Sequence, residues 1–180
     1  MTSSMWLLLS LPAAALLWWL FVRWEVAYNA RRIVDDGARN SLRGAFHLQR
    51  TLVRAAVAIL LAGTGAWPAP HGFGWLLAGQ LAGFAGWFLY AFTPGLNRAR
   101  GLALYYVSAS PTTAWLDRQL WQRAVAAVQP GPWNDAELHQ ERARYAASEL
   151  RTLLRAALVA GLAGYAGALV YVWLRSPGAG

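Results

Sequence analysis

Long uncharged apolar runs alternate along this chain with segments crowded with arginine, and that alternation limits its folds more than any other feature. An α-helix needs roughly 20 apolar residues to cross the ~30 Å hydrocarbon core of a bilayer. Four runs come close to that length: about Met5 to Val22, Thr51 to Trp67, Phe73 to Thr93 and Leu153 to Leu174. The expected fold is therefore all-α, a single membrane domain over residues 1–180 with four transmembrane helices and amphipathic cytoplasmic helices. Arg54 stands one turn inside the second run, where its guanidinium is expected to snorkel back to the headgroups.

Composition removes the main competitors. Of 180 residues 57% are hydrophobic and 13% charged, against about 25% charged in a soluble domain. This excludes a disordered chain and argues against a soluble enzyme. The absence of cysteine excludes a disulfide framework, a thiolate metal site and a lipidated cysteine. All 16 basic residues are arginine and the net charge is +8, so an anionic partner is expected. Because the arginines flank apolar runs, that partner is the membrane surface and not a nucleic acid. The first run has no basic residue before it and ends in the bulky stretch Trp18-Trp19-Leu20-Phe21-Val22-Arg23-Trp24. Such an ending does not suit a signal peptidase, which predicts a retained first span.

Arginine also sets orientation. The first connection holds Arg23, Arg31, Arg32, Arg39, Arg43 and Arg50, and the third, about 95–150, is again arginine-rich. Between the second and third runs lies only the uncharged turn Pro68-Ala69-Pro70-His71-Gly72. Positive charge on cytoplasmic loops places both basic connections inside, and the turn and both termini outside, with Arg175 as the exception. Trp6, Trp24, Trp67, Trp75 and Trp173 fall near span ends, at headgroup level.

The basic connections carry helical patterns. Over 24–50, Ala27, Ala30, Ile33, Val34, Ala38, Leu42, Ala45, Phe46 and Leu48 recur at steps of three and four, interrupted near Asp36-Gly37. Leu116, Leu120, Ala124, Val125 and Val128 make one apolar face bordered by Trp115 and Trp121, as in a helix lying at the membrane surface. Pro130-Gly131-Pro132 ends it, and Asn134 followed by Glu137 reads as a capping box. From Asp135 the pattern runs on through the fourth apolar run, a helix of about 60 Å at 1.5 Å per residue.

No catalytic, cofactor-binding or metal-binding residue stands out. His139 has only Asp135 one turn away, and two ligands do not make a zinc site. His47 and His71 have no acidic or nucleophilic neighbour in sequence, and no phosphate loop is present. An enzyme is accordingly not expected. Gln80, the one amide inside a span, is expected to make an interhelical hydrogen bond of about 0.6 kcal/mol. Small residues say more: Gly79, Gly83 and Gly86 in span three, Gly161, Gly164 and Gly167 with Ala157, Ala160, Ala163 and Ala168 in span four, and Ala58 with Ala62 in span two. Such faces let helix backbones approach closely, within one copy or in a homo-oligomer.

After span three comes Asn97-Arg98-Ala99-Arg100-Gly101, then Tyr105-Tyr106 and Trp115-Leu116-Asp117-Arg118. With His47 and Arg54 upstream, this middle third resembles small multi-span membrane proteins of bacteria and phages. Those share an Asn-x-x-Arg-Gly element, an aromatic a few residues on and a later Trp/Tyr-x-Asp-Arg/Lys. The resemblance implies no activity. Read from the residues, Arg98, Arg100, Tyr105, Tyr106, Trp115, Arg118 and Trp121 are expected to contact lipid or a partner protein, arginine at phosphate and aromatics among headgroups. The functional expectation is a non-enzymatic component of a bacterial inner (cytoplasmic) membrane, binding anionic lipid or a membrane or cytoplasmic protein through its arginine-rich layer. A small oligomeric pore or holin-like protein is the alternative, although the spans offer only Ser10, Thr64 and Gln80 at depth.

Overall fold

An apolar run can hide its backbone polar groups only by hydrogen-bonding them to itself, so each run becomes a helix, and the charged flanks extend it. The computed structural model describes residues 3–36, 44–67, 72–109, 115–131 and 133–175. Among them are five α-helices and no strand: α1 Ser3–Asp36, α2 Gly44–Ala66, α3 Phe73–Ala99, α4 Trp115–Ala127 and α5 Asp135–Arg175. The turn Pro68 to His71, together with Arg39 and Arg43, lies outside the described residues, and nothing is described of the His47 side chain.

Among the described residues three helices are long and apolar enough to cross a membrane: Leu9–Arg32 within α1, Phe73–Ala99, and Asp135–Tyr171 within α5. The expected fourth, α2, is not among them, because Arg50 and Arg54 occupy two turns of its apolar stretch. Leu16, Leu17, Leu20, Ile59, Leu60, Leu89, Val159, Leu162 and Val170 all point outward, an apolar exterior that suits lipid contact.

The antiparallel pair α3 and α5 forms the spine. A Cβ placed on Gly79 would run into Ala168 Cβ and lie 2.9 Å from the Gly164 carbonyl oxygen. One placed on Gly86 would strike the Ala157 carbonyl, and one on Gly161 would come 2.6 Å from that of Ala82. Gly83 faces Tyr165 at ordinary contact distance, and Gly164 faces Ala82 Cβ at 3.2 Å. Gly167 departs from the sequence expectation: nothing lies within 4 Å of its added Cβ, since it falls to one side of the contact face.

Helix α1 packs on this spine through Leu11, Ala14, Trp18 and Val22, a stripe at steps of three and four. Trp18 stacks on Phe84 with centroids 5.1 Å apart and donates from Nε1 to the Phe84 carbonyl at 3.0 Å. Helix α2 fills the remaining side. Gln80, fully buried on α3, donates from Nε2 to the Ala62 carbonyl at 3.1 Å, and Ser10 of α1 donates to the Gly65 carbonyl at 3.0 Å. Gly65 leaves room for that amide, since its added Cβ would fall 2.5 Å from Gln80 Oε1.

Beyond the apolar layer α5 continues as a free-standing half, and α4 packs along it. Leu120 and Ala124 meet Ala146, Leu150 and Leu154 around buried Val107. The apolar face of α4, expected to lie on lipid, is thus covered by α5. Val125 is not part of that face, being 38% exposed. The capping box forms with both bonds at 3.0 Å, Asn134 N–H to Glu137 Oε2 and Glu137 N–H to Asn134 Oδ1.

The spine yields a paired prediction. Gly161→Ile should lower thermal stability in detergent by about 1–3 kcal/mol or more, because its side chain must displace α3 backbone. Gly167→Ala should be neutral or stabilising by up to about 1 kcal/mol, through helix propensity alone. Equal melting shifts for the two variants would contradict the packing described.

Candidate functional site at the arginine-rich end

Where α1 leaves the apolar layer it carries Glu25, the first acidic residue of the chain, and the fold buries it completely. Asn29, one turn on, donates from Nδ2 to the Glu25 backbone carbonyl and to Oε2, both at 2.7 Å. Two arginines reach across from α2, and their spacing of four puts both on one helix face. Arg54 Nη2 donates to Glu25 Oε2 at 3.0 Å, and Arg50 Nη2 lies 3.1 Å from Oε1 in an oblique approach that is an ion pair without a hydrogen bond.

Aromatic faces complete the enclosure. The Arg50 guanidinium sits over the Tyr28 and Trp24 rings at 4.2 and 5.3 Å, and that of Arg54 over Phe92 and Phe88 at 4.7 and 5.1 Å. The Arg54 guanidinium thus has protein partners of its own. It turns inward, and a carboxylate with two π-faces replaces the water it gives up. The cluster ties α1, α2 and α3 together and carries one net positive charge.

A second constellation orders the connection after α3. Helix α3 ends in a Schellman motif, with Leu102 N–H bonded to the Asn97 carbonyl at 2.9 Å and Gly101 N–H to that of Arg98 at 3.0 Å. Gly101 has φ +71, a left-handed conformation that a residue with a Cβ adopts reluctantly. The buried Asn97 amide donates to the carbonyls of Leu104 and Tyr106, both at 3.1 Å. Asp117 accepts from Ser108 N–H at 3.3 Å. Burial pushes the Asp117 carboxyl above its ordinary range, while the Ser108 bond and the charge of Arg100 oppose that shift. The Asn-x-x-Arg-Gly element and the later Asp are thus two ends of one folded loop, closed by the Arg151 guanidinium 4.9 Å over Tyr105.

Of the residues expected to meet lipid or partner, Arg98, Arg100, Tyr106, Trp115 and Arg118 are exposed. Tyr105 and Trp121 are instead drawn against the cluster around Leu120, where Trp121 also faces the His139 ring at 5.0 Å. Glu25 and Asn29 escaped sequence reasoning. The spacing of four shows that Arg50 and Arg54 share a helix face, but no sequence signal joins them to Glu25. Among the described residues no three His, Asp or Glu side chains gather as metal ligands would.

Comparison with protein-family models, with curated proteins and with solved structures gave no match to this chain.

Removing one partner from a buried ion pair leaves an uncompensated charge and costs about 3–5 kcal/mol. Glu25→Ala should therefore destabilise the protein strongly, by melting in detergent. Adding Arg50→Leu and Arg54→Leu to it should recover much of the loss. A triple variant less stable than the single one would refute the charge-compensation account.

Proposed function

We propose that this protein is a non-enzymatic, four-span membrane component of the cytoplasmic membrane whose arginine-rich end faces the cytoplasm and binds anionic lipid. Helix α2 is the fourth span: pairing with Glu25 and stacking on aromatic rings reduce the penalty its arginines would carry near the hydrocarbon boundary. Both termini then lie outside.

The observation that carries the lipid reading is the concentration of exposed arginine at one end. Arg23 and Arg31 on α1, Arg98 in the last turn of α3 and Arg100 just after it, Arg118 on α4 and Arg151 and Arg155 on α5 all have exposed side chains. Near an anionic surface each contributes about 1 kcal/mol, so several together give firm attraction. The ordered 97–108 loop holds Arg98 and Arg100 beside exposed Tyr106, a pairing of cation and amphipathic ring suited to headgroups. Against the pore alternative stand the direct backbone contact of α3 with α5 and the use of the Gln80 amide in holding α2.

The test is lipid enrichment. In nanodiscs of mixed phosphatidylglycerol and phosphatidylcholine, lipid retained around the protein should be enriched in the anionic species. Arg98→Gln/Arg100→Gln/Arg118→Gln together should bring the ratio back toward bulk, and added salt should do likewise. A ratio at the bulk value in the unmodified protein would dispose of the proposal.

A further inference from the structure

Helices α1 and α5 both pack on α3 yet, among the described residues, no Cα of one comes within 8 Å of a Cα of the other. A cleft of about 200 Å³ runs between them with α3 as its floor. Ala15 and Trp19 of α1 form one wall, Leu162 and Tyr165 of α5 the other, and Gly83 and Trp87 the base. The lining is almost wholly apolar.

The cleft has a charged rim at one end only. The Trp18 bond to the Phe84 carbonyl sets the level of α1 against α3, and the Gly86–Ala157 contact sets that of α5. Five residues beyond Trp18 and Phe84 the level reaches Arg23 and Leu89, and two residues back from Ala157 it reaches Arg155. Arg23 and Arg155 therefore stand at about the same depth, roughly 7–8 Å beyond the Trp18 level at 1.5 Å per residue. The Arg23 guanidinium lies 4.9 Å over the ring of Trp19, itself a wall of the cleft. Both arginines are exposed, and neither pairs with a carboxylate among the described residues.

Apolar slot and two cations follow one another along the helix axes in the order of acyl chain and phosphate in a glycerophospholipid. We propose that the cleft binds one anionic phospholipid of the cytoplasmic leaflet. One acyl chain lies between α1 and α5, and Arg23 and Arg155 hold the phosphate. This rests on the reading of the arginine-rich end as cytoplasmic, and it adds a single defined lipid to the diffuse surface attraction.

The experiment uses purified, delipidated full-length protein in nonionic detergent, titrated with dioleoylphosphatidylglycerol or dioleoylphosphatidylcholine, with bound lipid counted by native mass spectrometry. One phosphatidylglycerol should resist dissociation, and phosphatidylcholine should bind roughly tenfold more weakly. Arg23→Gln/Arg155→Gln should remove that preference. Ala15→Trp, which fills the cleft without touching the α3–α5 contact, should abolish the resistant lipid while leaving the melting temperature near that of the parent; Leu162→Trp tests the opposite wall. The Arg98→Gln/Arg100→Gln/Arg118→Gln protein should keep the resistant lipid even where its diffuse enrichment is lost, so the two readings fail separately. A resistant lipid retained in both cleft-filling variants, or an unchanged preference without Arg23 and Arg155, would overturn the assignment.

Discussion

Direct contact between the backbones of α3 and α5 is the interaction on which the rest of this structure depends. In lipid there is no hydrophobic gain from bringing two apolar helices together, so association relies on close van der Waals fit and a few hydrogen bonds. Gly79, Gly86 and Gly161 give that fit by leaving no side chain in the way, and carbonyl oxygens of the partner helix fill the space. The register they fix places Tyr165 against Gly83 and, further along, the polar half of α5 beside α4. Helix α1 then binds the opposite side of α3 through Trp18, and α2 is held by single polar bonds from Gln80 and Ser10.

Charge is handled by two different devices at the same end of the bundle. Arg50 and Arg54 lie where hydration is scarce, so they are enclosed with a buried carboxylate and four aromatic rings. The remaining exposed arginines keep contact with solvent, where a guanidinium is well solvated. Glu25 in this arrangement is a positioning group. It fixes α2 against α1 and α3, and so holds the arginine-rich surface in one shape.

Much of the fold was legible because its causes are local. Apolar length predicts the helices, the Asn134 and Glu137 pair predicts the start of α5, and Leu116, Leu120 and Ala124 predict the buried face of α4. What could not be read is relational. Periodicity shows that α4 is amphipathic but not whether lipid or α5 receives its apolar face. Small residues show where a helix can be approached, and Gly167 shows that they do not say from which side. The Glu25 cluster joins residues 29 positions apart on separate helices, and a single acid near a span end carries no sequence signature of its partner. Asn97 and Gly101 stood out as a motif, but only the loop they close gives that motif a physical reason.

The central claim is a packed bundle crossing the membrane with its arginine-rich end inside. The cysteine-free chain provides a clean background for single substitutions, so an impermeant maleimide reports sidedness directly. Gly72→Cys at the uncharged turn and Ala126→Cys on the exposed side of α4 lie at opposite ends of the bundle. In intact cells the reagent should label Gly72→Cys and reach Ala126→Cys only after lysis. Labelling of Ala126→Cys from outside, with Gly72→Cys protected, would contradict the account.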